Sequence, residues 1–364
     1  MTSLDEDAIA RLRLIRTPSI GPVTHAQLLA RFGTASAALA MVPELARRGG
    51  GKPPVLATRA AIEREASAVA QAGATYLFAG RPDYPALLAE IETAPPVLIV
   101  RGDAGLLARP AVAMVGARNA SAAACRFARM LAHDLGGRGQ AIVSGLARGI
   151  DTAAHEGSLD EGTIGVIAGG IDIVYPPENA RLQESIAERG LLIAEQPPGT
   201  EPRARHFPYR NRIIAGLAAG TVVVEAAPRS GSLITARLAA ESGREVMAVP
   251  GSPLDPRAQG CNQLIRDGAT LVQNAADVIE TLRPLGLAAL HAPRQDYHGG
   301  PAPADATAAE RHAVTQLLSP SPVQVDEIVR QSGIAPAAVQ VVLLELELGG
   351  RLQRHAGGRV SVVG

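Results

Sequence analysis

The feature that most constrains the fold is a series of short apolar runs, separated by helical patterns, between residues 97 and 249. Seven runs read as strands: Val97–Val100, Ala111–Val115, Ala141–Ser144, Thr163–Ala168, Leu191–Ala194, Thr221–Glu225 and Glu245–Val249. Segments between them read as helices: Ala122–Leu135, Asp151–Asp160, Glu178–Glu188, Tyr209–Ala218 and Ser232–Glu241. Continuous apolar strands separated by helices indicate a parallel sheet covered on both faces. The sequence therefore predicts an α/β fold with a doubly wound, Rossmann-like sheet, whose ligands bind beyond the carboxyl ends of the strands.

Smaller parts flank this sheet, which we assign to residues 81–288. Residues 1–80 read as mostly helical, and the turn at Gly21 and Pro22 is typical of a SAM-like or helix-hairpin-helix-like domain, or of a plain corner between two helices. Residues 289–309 are rich in Pro and Gly and predict a linker. Residues 310–364 read as three helices and a small hairpin, which predicts a winged-helix domain. Its five Arg and five acidic residues favour a protein contact, while nucleic-acid binding stays an alternative.

The composition excludes several classes of protein. The chain has 35 basic and 35 acidic residues in 364, so a globally basic nucleic-acid binder is ruled out and any such site must be a local patch. No Walker A, G-x-G-x-x-G or G-x-S-x-G motif occurs, and the two Cys lie 136 positions apart without zinc-site spacing. We therefore predict no metal and no cofactor. Uncharged stretches are too short for a membrane span, which predicts a cytoplasmic protein.

Small and basic residues follow several predicted strands, all at the same edge of the sheet. Glycine permits close backbone approach, a helix N-terminus offers free N–H groups to an anion, and the Arg fork suits phosphate. The candidate anion-binding residues at these turns are Gly116, Arg118, Ser144, Gly145, Arg148, His155, Ser230 and Gly231. Each turn alone is equally compatible with an ordinary strand-to-helix connection, and His155 with a buried structural histidine.

The densest basic element is residues 203–212, which hold four Arg, two of the nine aromatic residues and no acid. Phosphate neutralisation combined with stacking of bases on aromatic rings is what single-strand binding requires. The segment therefore predicts a nucleic-acid contact through Phe207, Arg210 and Arg212. The alternative is a helix start in which Phe207 and Tyr209 pack inward.

The motifs of the central part together resemble those of the DprA/Smf family of DNA-processing proteins. The motifs that match the family lie in the same order between about Val112 and Asn274: Ser144–Asp151 with His155, Gly169–Asp172 with Tyr175 and Pro176, Phe207–Ile214, Glu225 with Ser230–Ala236, and Pro250–Gly251 with Gly260–Gly268. The resemblance implies binding of single-stranded DNA without sequence preference. It also implies loading of the RecA recombinase onto that DNA during natural transformation, displacement of single-strand-binding protein, homodimerisation through the Rossmann-like domain, and no catalysis.

The resemblance also implies roles for individual residues. Arg118 is similar to the family's phosphate-binding arginine, and Arg148 stands where many members have lysine. The stacking and phosphate-binding group is implied at Phe207, Arg210, Asn211 and Arg212. Ala117 replaces a serine that is common in the family, so the resemblance does not extend to a hydroxyl contact at this position.

Two other functions remain open from the residues themselves. A Rossmann-like enzyme acting on a nucleotide or phosphoribosyl compound could use Glu195, Glu225 or His155 as acid–base groups, although no fixed spacing pairs them. An interaction scaffold without a small ligand is the third possibility.

Overall fold

The computed structural model describes residues 4–289, 305–355 and 357–363, and these form two compact units. One unit combines the chain up to Arg64 with the segment from Asp305 onward, and the other begins at Glu65. Most of the predicted linker, residues 290–304, lies outside the described residues. The predicted boundaries at 80, 288 and 309 stay predictions.

The chain begins with α1 (Glu6–Ile15), α2 (Pro22–Phe32), α3 (Ala35–Arg48), α4 (Arg59–Gln71), β1 (Thr75–Phe78), α5 (Ala86–Ala89) and β2 (Val97–Gly102). The central part continues with β3 (Ala111–Gly116), α6 (Ala122–Gly136), β4 (Ala141–Ser144), α7 (Ile150–Ser158), β5 (Thr163–Gly170), α8 (Ala180–Arg189), β6 (Leu191–Gln196), α9 (His206–Leu217), β7 (Gly220–Val224), α10 (Gly231–Glu241), β8 (Glu245–Ala248), α11 (Gln259–Arg266), β9 (Thr270–Leu271) and α12 (Ala275–Ala289). The last part has α13 (Ala308–Gln316), β10 (Val323–Gln324), α14 (Val325–Ser332), α15 (Pro336–Leu348), β11 (Leu352–His355) and β12 (Arg359–Val362).

The larger unit is built on a sheet with strand order β1-β2-β6-β5-β4-β3-β7-β8-β9. From β3 the chain adds β4, β5 and β6 on one side and then returns to place β7, β8 and β9 on the other. Strands β4 and β5 are buried along their whole length, because helices cover both faces of the sheet. The predicted doubly wound α/β fold is confirmed.

The sheet is mixed rather than wholly parallel, which the apolar pattern did not predict. Strand β1 pairs antiparallel with β2, and β2 pairs antiparallel with β6. The sequence pattern assigns the four residues of β1 to the mostly helical part of the chain, residues 1–80. Sequence alone could not reveal this edge, since strand direction depends on the connection and not on the apolar pattern.

The smaller unit contains the predicted winged helix, with helices α13, α14 and α15 and a sheet of order β10-β12-β11. Its core includes Val314, Ile328, Val342 and Leu346. Helices α1, α2 and α3 form a second core in the same unit, and α15 contributes side chains to both.

Within the described part of the chain, no single helix is long and apolar enough to cross a membrane; the bent pair α2 and α3 has the combined length and composition. The same residues contain no group of three or more His, Cys, Asp or Glu side chains arranged to hold a metal ion.

Candidate functional site

A hollow of about 250 Å³ lies at the carboxyl ends of β3, β4 and β5, where α9 begins. It is lined by Arg118, Gly145, Leu146, Ala147, Arg148, Ile167, Ala168, Tyr175, Pro176, Pro177, Glu178, Phe207 and Arg210. The set contains three arginines, two aromatic rings and one carboxylate. The structure thus brings Arg118, Gly145, Arg148, Phe207 and Arg210 together from three separate segments. We call this cavity the cationic hollow.

Phe207 lies at the centre of the aromatic and basic side chains. The guanidinium carbon of Arg118 lies 5.3 Å from the centre of its ring, and that of Arg210 lies 6.0 Å away. The ring of Tyr175 is 5.6 Å from that of Phe207 and tilted by 56°, and 45% of Tyr175 remains exposed. Two cations near one ring concentrate positive charge beside an aromatic surface, which suits a base attached to a phosphate.

Arg210 forms the buried floor of the hollow. Only 6% of the residue is exposed, and among the described residues its Nε atom has no hydrogen-bond partner. Burial lowers the pKa of Arg210 to about 10, Asp151 opposes this decrease, and Arg118 adds to it. The guanidinium therefore stays charged at neutral pH. A buried cation with an unused donor that lines a cavity favours an anionic ligand there.

Gly145 and Asp151 explain how the arginine is held. A Cβ atom added at Gly145 would lie 1.3 Å from Nη1 of Arg210, so this position must lack a side chain for the guanidinium to fit. The Asp151 carboxylate accepts hydrogen bonds from the backbone N–H groups of Gly145 (3.2 Å) and Ala147 (3.4 Å). Burial raises the pKa of Asp151, and the charge of Arg210 opposes that increase. Asp151 therefore fixes the turn after β4 beneath the arginine.

Arg148 and Glu178 lie at the mouth of the hollow. Their side chains are 64% and 60% exposed, and the nearest Arg nitrogen is 3.8 Å from a carboxylate oxygen. A pair this exposed contributes little to stability. Glu178 carries the one carboxylate among the residues that line the hollow, and its negative charge would repel an incoming phosphate.

The strand-end turns differ from the prediction in one respect: several of their backbone donors are already bonded to the protein's own carboxylates. Glu225 follows β7, and its carboxylate accepts from the N–H of Ser121 at 2.8 Å and from its hydroxyl at 2.6 Å. It thereby bonds to the N-cap residue of α6, next to the point between β3 and β7 where the strand order reverses. Asp151 likewise accepts from the N–H groups of Gly145 and Ala147 in the turn after β4. The groups in these turns that remain open to an anion are therefore mainly arginine side chains.

The turns after β7 and β8 also contain contacts between the protein's own groups. Ser230 caps α10 by accepting from the N–H of Ser232 at 3.3 Å, and Gly231 is exposed with open space beside it. The side-chain amide of Asn262 pairs with both the N–H and the carbonyl of Gly251. Neither Ser230 nor Gly231 lines the cationic hollow.

Three further candidate residues lie behind the hollow and serve packing. A Cβ at Gly116 would lie 1.9 Å from the carbonyl oxygen of Val224, so glycine permits β3 and β7 to approach closely. The buried Ser144 hydroxyl donates to the carbonyl of Met114 at 2.6 Å. His155 is fully buried against Thr163 (2.7 Å), and burial lowers its pKa to about 3. These positions favour structural roles.

Arg212 is directed away from the cationic hollow although it lies only two positions after Arg210. Its guanidinium pairs with Glu195 at 2.5 Å and donates to the carbonyl of Thr93. Asn211 between them is half-buried and does not line the hollow. Of the two arginines on α9, Arg210 therefore lies within the site, whereas Arg212 holds α9 against β6.

Sequence reasoning did not select Tyr175, Glu178 or Asp151 as site residues. Tyr175 had a detectable signal, because it is one of nine aromatic residues and follows a predicted strand. Asp151 ends one of the motifs that match the family, but like Glu178 it starts a predicted helix, where a capping role is the ordinary explanation.

Comparison with known proteins matches the whole arrangement to one family. The profile described as "DNA recombination-mediator protein A" matches residues 75–283. Two further profiles, a "DprA-like N-terminal HHH domain" and a "DprA winged helix domain", match residues 5–68 and 299–358.

Individual relatives agree with the profiles. The DNA processing protein DprA of Streptococcus pneumoniae is 48% identical over 198 residues, which are 54% of this chain and 70% of that protein. Protein Smf of Escherichia coli is 38% identical over 283 residues, covering 77% of this chain and 75% of that one. The solved S. pneumoniae DprA structure is similar with a TM-score of 0.64 and 36% identity, covering 77% of this chain and 98% of that chain.

A second solved structure concerns nucleic acid directly. DprA from Helicobacter pylori, described for its unique single-stranded DNA binding mode, is similar with a TM-score of 0.54 and 29% identity. The match covers 58% of this chain and 96% of that one.

Proposed function

The chain belongs to the DprA/Smf family of DNA-processing proteins, and from that premise we propose that its cationic hollow binds single-stranded DNA without sequence preference. The observation that carries the proposal is the buried, hydrogen-bond-deficient Arg210 beside Phe207 and Arg118. A phosphate would satisfy the guanidinium, while an adjacent base would stack on Phe207 or Tyr175. Because stacking accepts any base, such a site has little sequence preference.

The proposal excludes catalytic turnover, and the positions of the candidate acid–base groups support this. Glu195 is committed to Arg212, Glu225 is committed to Ser121, and His155 is buried behind the sheet edge. None of these three residues lines the cationic hollow. A nucleotide-hydrolysing or phosphoribosyl-transferring enzyme would need such a group within reach of its substrate.

The binding experiment uses fluorescence anisotropy with a labelled oligo-dT at several salt concentrations. We expect the logarithm of the binding constant to fall by about 0.7 per neutralised phosphate for each tenfold rise in salt. Arg118→Glu should weaken binding by tenfold or more. Arg237→Glu, which reverses an exposed arginine on α10 outside the hollow, is the matched control and should bind almost as the unchanged protein does. Equal losses in the two variants would remove the proposal.

The enzyme alternative is tested with the same preparation. Incubation with each deoxynucleoside monophosphate, followed by chromatography, should release no free base. Steady release that disappears in Arg118→Glu would establish the enzyme instead.

Family membership also leads us to propose loading of RecA onto single-stranded DNA, with displacement of single-strand-binding protein, during natural transformation. Homodimerisation through the Rossmann-like domain and a cytoplasmic location belong to the same proposal. The test measures RecA filament growth on oligo-dT covered by single-strand-binding protein. Stimulation by the unchanged protein and its loss in Arg118→Glu are expected, whereas equal stimulation by both would separate loading from the hollow.

A further inference from the structure

In the winged-helix domain, the helix that reads DNA in other winged-helix proteins is largely buried. Helices α14 and α15 form its helix-turn-helix, and in DNA-binding examples the second of these helices enters the major groove. In this chain α15 is buried from Val341 to Leu346. Val339, Val342, Leu343 and Leu346 pack in the winged-helix core, whereas Leu344 and Leu348 pack in the core formed by α1, α2 and α3.

The contact between α15 and the N-terminal helices is close at the backbone. A Cβ atom added at Gly49 would lie 2.0 Å from the carbonyl oxygen of Glu345, and one at Gly51 would lie 1.9 Å from that of Gly349. Both glycines follow α3, so the end of α3 touches the end of α15 with no room for a side chain. Such contact is typical of a permanent interface rather than an incidental one.

Polar groups along the same face complete the contact. Gln27 on α2 donates to Gln340 at 3.0 Å and accepts from Arg354 at 3.2 Å. Asp305, just before α13, pairs with Arg48 at 2.7 Å and also with Arg31. The interface therefore extends from the entry of the winged-helix domain to its hairpin.

The charge of the domain also opposes a role in groove reading. Helix α15 contains no Arg or Lys and has two Glu. Elsewhere in the domain Arg311 is bound to Glu345, Arg354 to Glu347 and Gln27, and Arg351 to the carbonyl of Gly49. Cations used in this way cannot neutralise phosphates, which supplies most of the affinity for duplex DNA.

We propose that this helix-turn-helix is a protein-docking element whose partner is the N-terminal helical domain of the same chain. The two ends of the sequence accordingly fold as one cooperative unit, and α15 does not read duplex DNA even when the contact is loosened. This inference does not depend on the function proposed for the cationic hollow.

Hydrogen exchange on the full-length protein tests the cooperativity. Gly51→Ala should accelerate amide exchange in both α3 and α15 by about tenfold, because the new methyl group meets Gly349. Gly21→Ala is the matched control, since open space surrounds that position, and should leave both helices protected. Gln27→Ala removes two hydrogen bonds without adding bulk and should give the same paired response at smaller amplitude. Faster exchange in α3 with unchanged protection of α15 would show that the domains fold independently and would overturn the proposal.

Two further measurements identify the partner and exclude groove reading. Gln27→Cys combined with Gln340→Cys, in a chain carrying Cys125→Ala, should be joined within a single chain by a short bismaleimide. A product of doubled mass would instead assign the contact to a second copy and refute the proposal, as would no product with both thiols reactive. Gly51→Ala should bind a labelled duplex no better than the unchanged protein; a tenfold gain would reveal a masked duplex site.

Discussion

Arg210 and Arg212 can be compared directly, because both are buried on helix α9 but have different neighbours. Their exposed fractions are 6% and 7%. Arg210 lines the cationic hollow with an unused Nε donor, whereas Arg212 is paired with Glu195. We expect Arg210→Gln to impair DNA binding and Arg212→Gln to impair stability alone.

The magnitudes follow from the surroundings of each guanidinium. With a pKa of about 10, Arg210 carries a full charge at neutral pH, and a charge-assisted hydrogen bond to phosphate contributes about 1.5–3 kcal/mol. Loss of that contact weakens binding by roughly 10- to 150-fold. Removal of Arg212 breaks its ion pair with Glu195. Breaking a buried pair costs about 3–5 kcal/mol, and somewhat less here because Glu195 keeps partial exposure.

The assay is anisotropy with labelled oligo-dT across a salt series, at a temperature where circular dichroism shows both variants folded. Arg210→Gln should lower the salt slope by about 0.7, the value for one phosphate on a single strand. Arg212→Gln should keep the slope of the unchanged protein. The reasoning is refuted if Arg210→Gln retains the full slope, or if Arg212→Gln loses as much affinity.

Three other substitutions, all in the larger structural unit, test further parts of the account. Phe207→Leu should weaken oligo-dT binding by about 1–3 kcal/mol without changing the salt slope, because it removes stacking and no charge; Tyr209→Leu, an exposed ring outside the hollow, should change neither quantity. Glu178→Gln should tighten binding about two- to fivefold at low salt and less at high salt, and equal or weaker binding would contradict the repulsion assigned to that carboxylate. His155 has its pKa lowered by burial to about 3, so below about pH 6.5 the unfolded chain binds a proton that the native histidine does not. The free energy of unfolding should therefore fall by up to about 1.4 kcal/mol per pH unit below that point, and urea titrations of His155→Gln should show a shallower decline; an unchanged decline would argue against a buried neutral histidine.

The central sheet was largely predictable because its strands are buried on both faces and leave continuous apolar runs. Strand β4 lies at the predicted residues, and the other six predicted strands differ only at their ends. The antiparallel strand β1 was not predicted, because its four residues follow a helix and pair with a strand that begins only at Val97.

The candidate site was predictable in its arginines and aromatic ring but not in its partners. Glycine at a strand end was interpreted as space for a phosphate, yet Gly116 provides space for the backbone of β7. Arg212 looked equivalent to Arg210 because the acid that binds it, Glu195, lies on another element. Local sequence gives residue chemistry, whereas the choice between ligand and protein partner depends on tertiary neighbours.

Photo-cross-linking of an oligo-dT that carries iododeoxyuridine tests the central claim most directly. If the cationic hollow holds one base against its aromatic rings, mass spectrometry of the full-length protein should place the adduct on Phe207 or Tyr175, and Arg210→Gln should reduce its yield. Adducts confined to residues 305–363 or to the N-terminal helices, with none at either ring, would contradict the assignment.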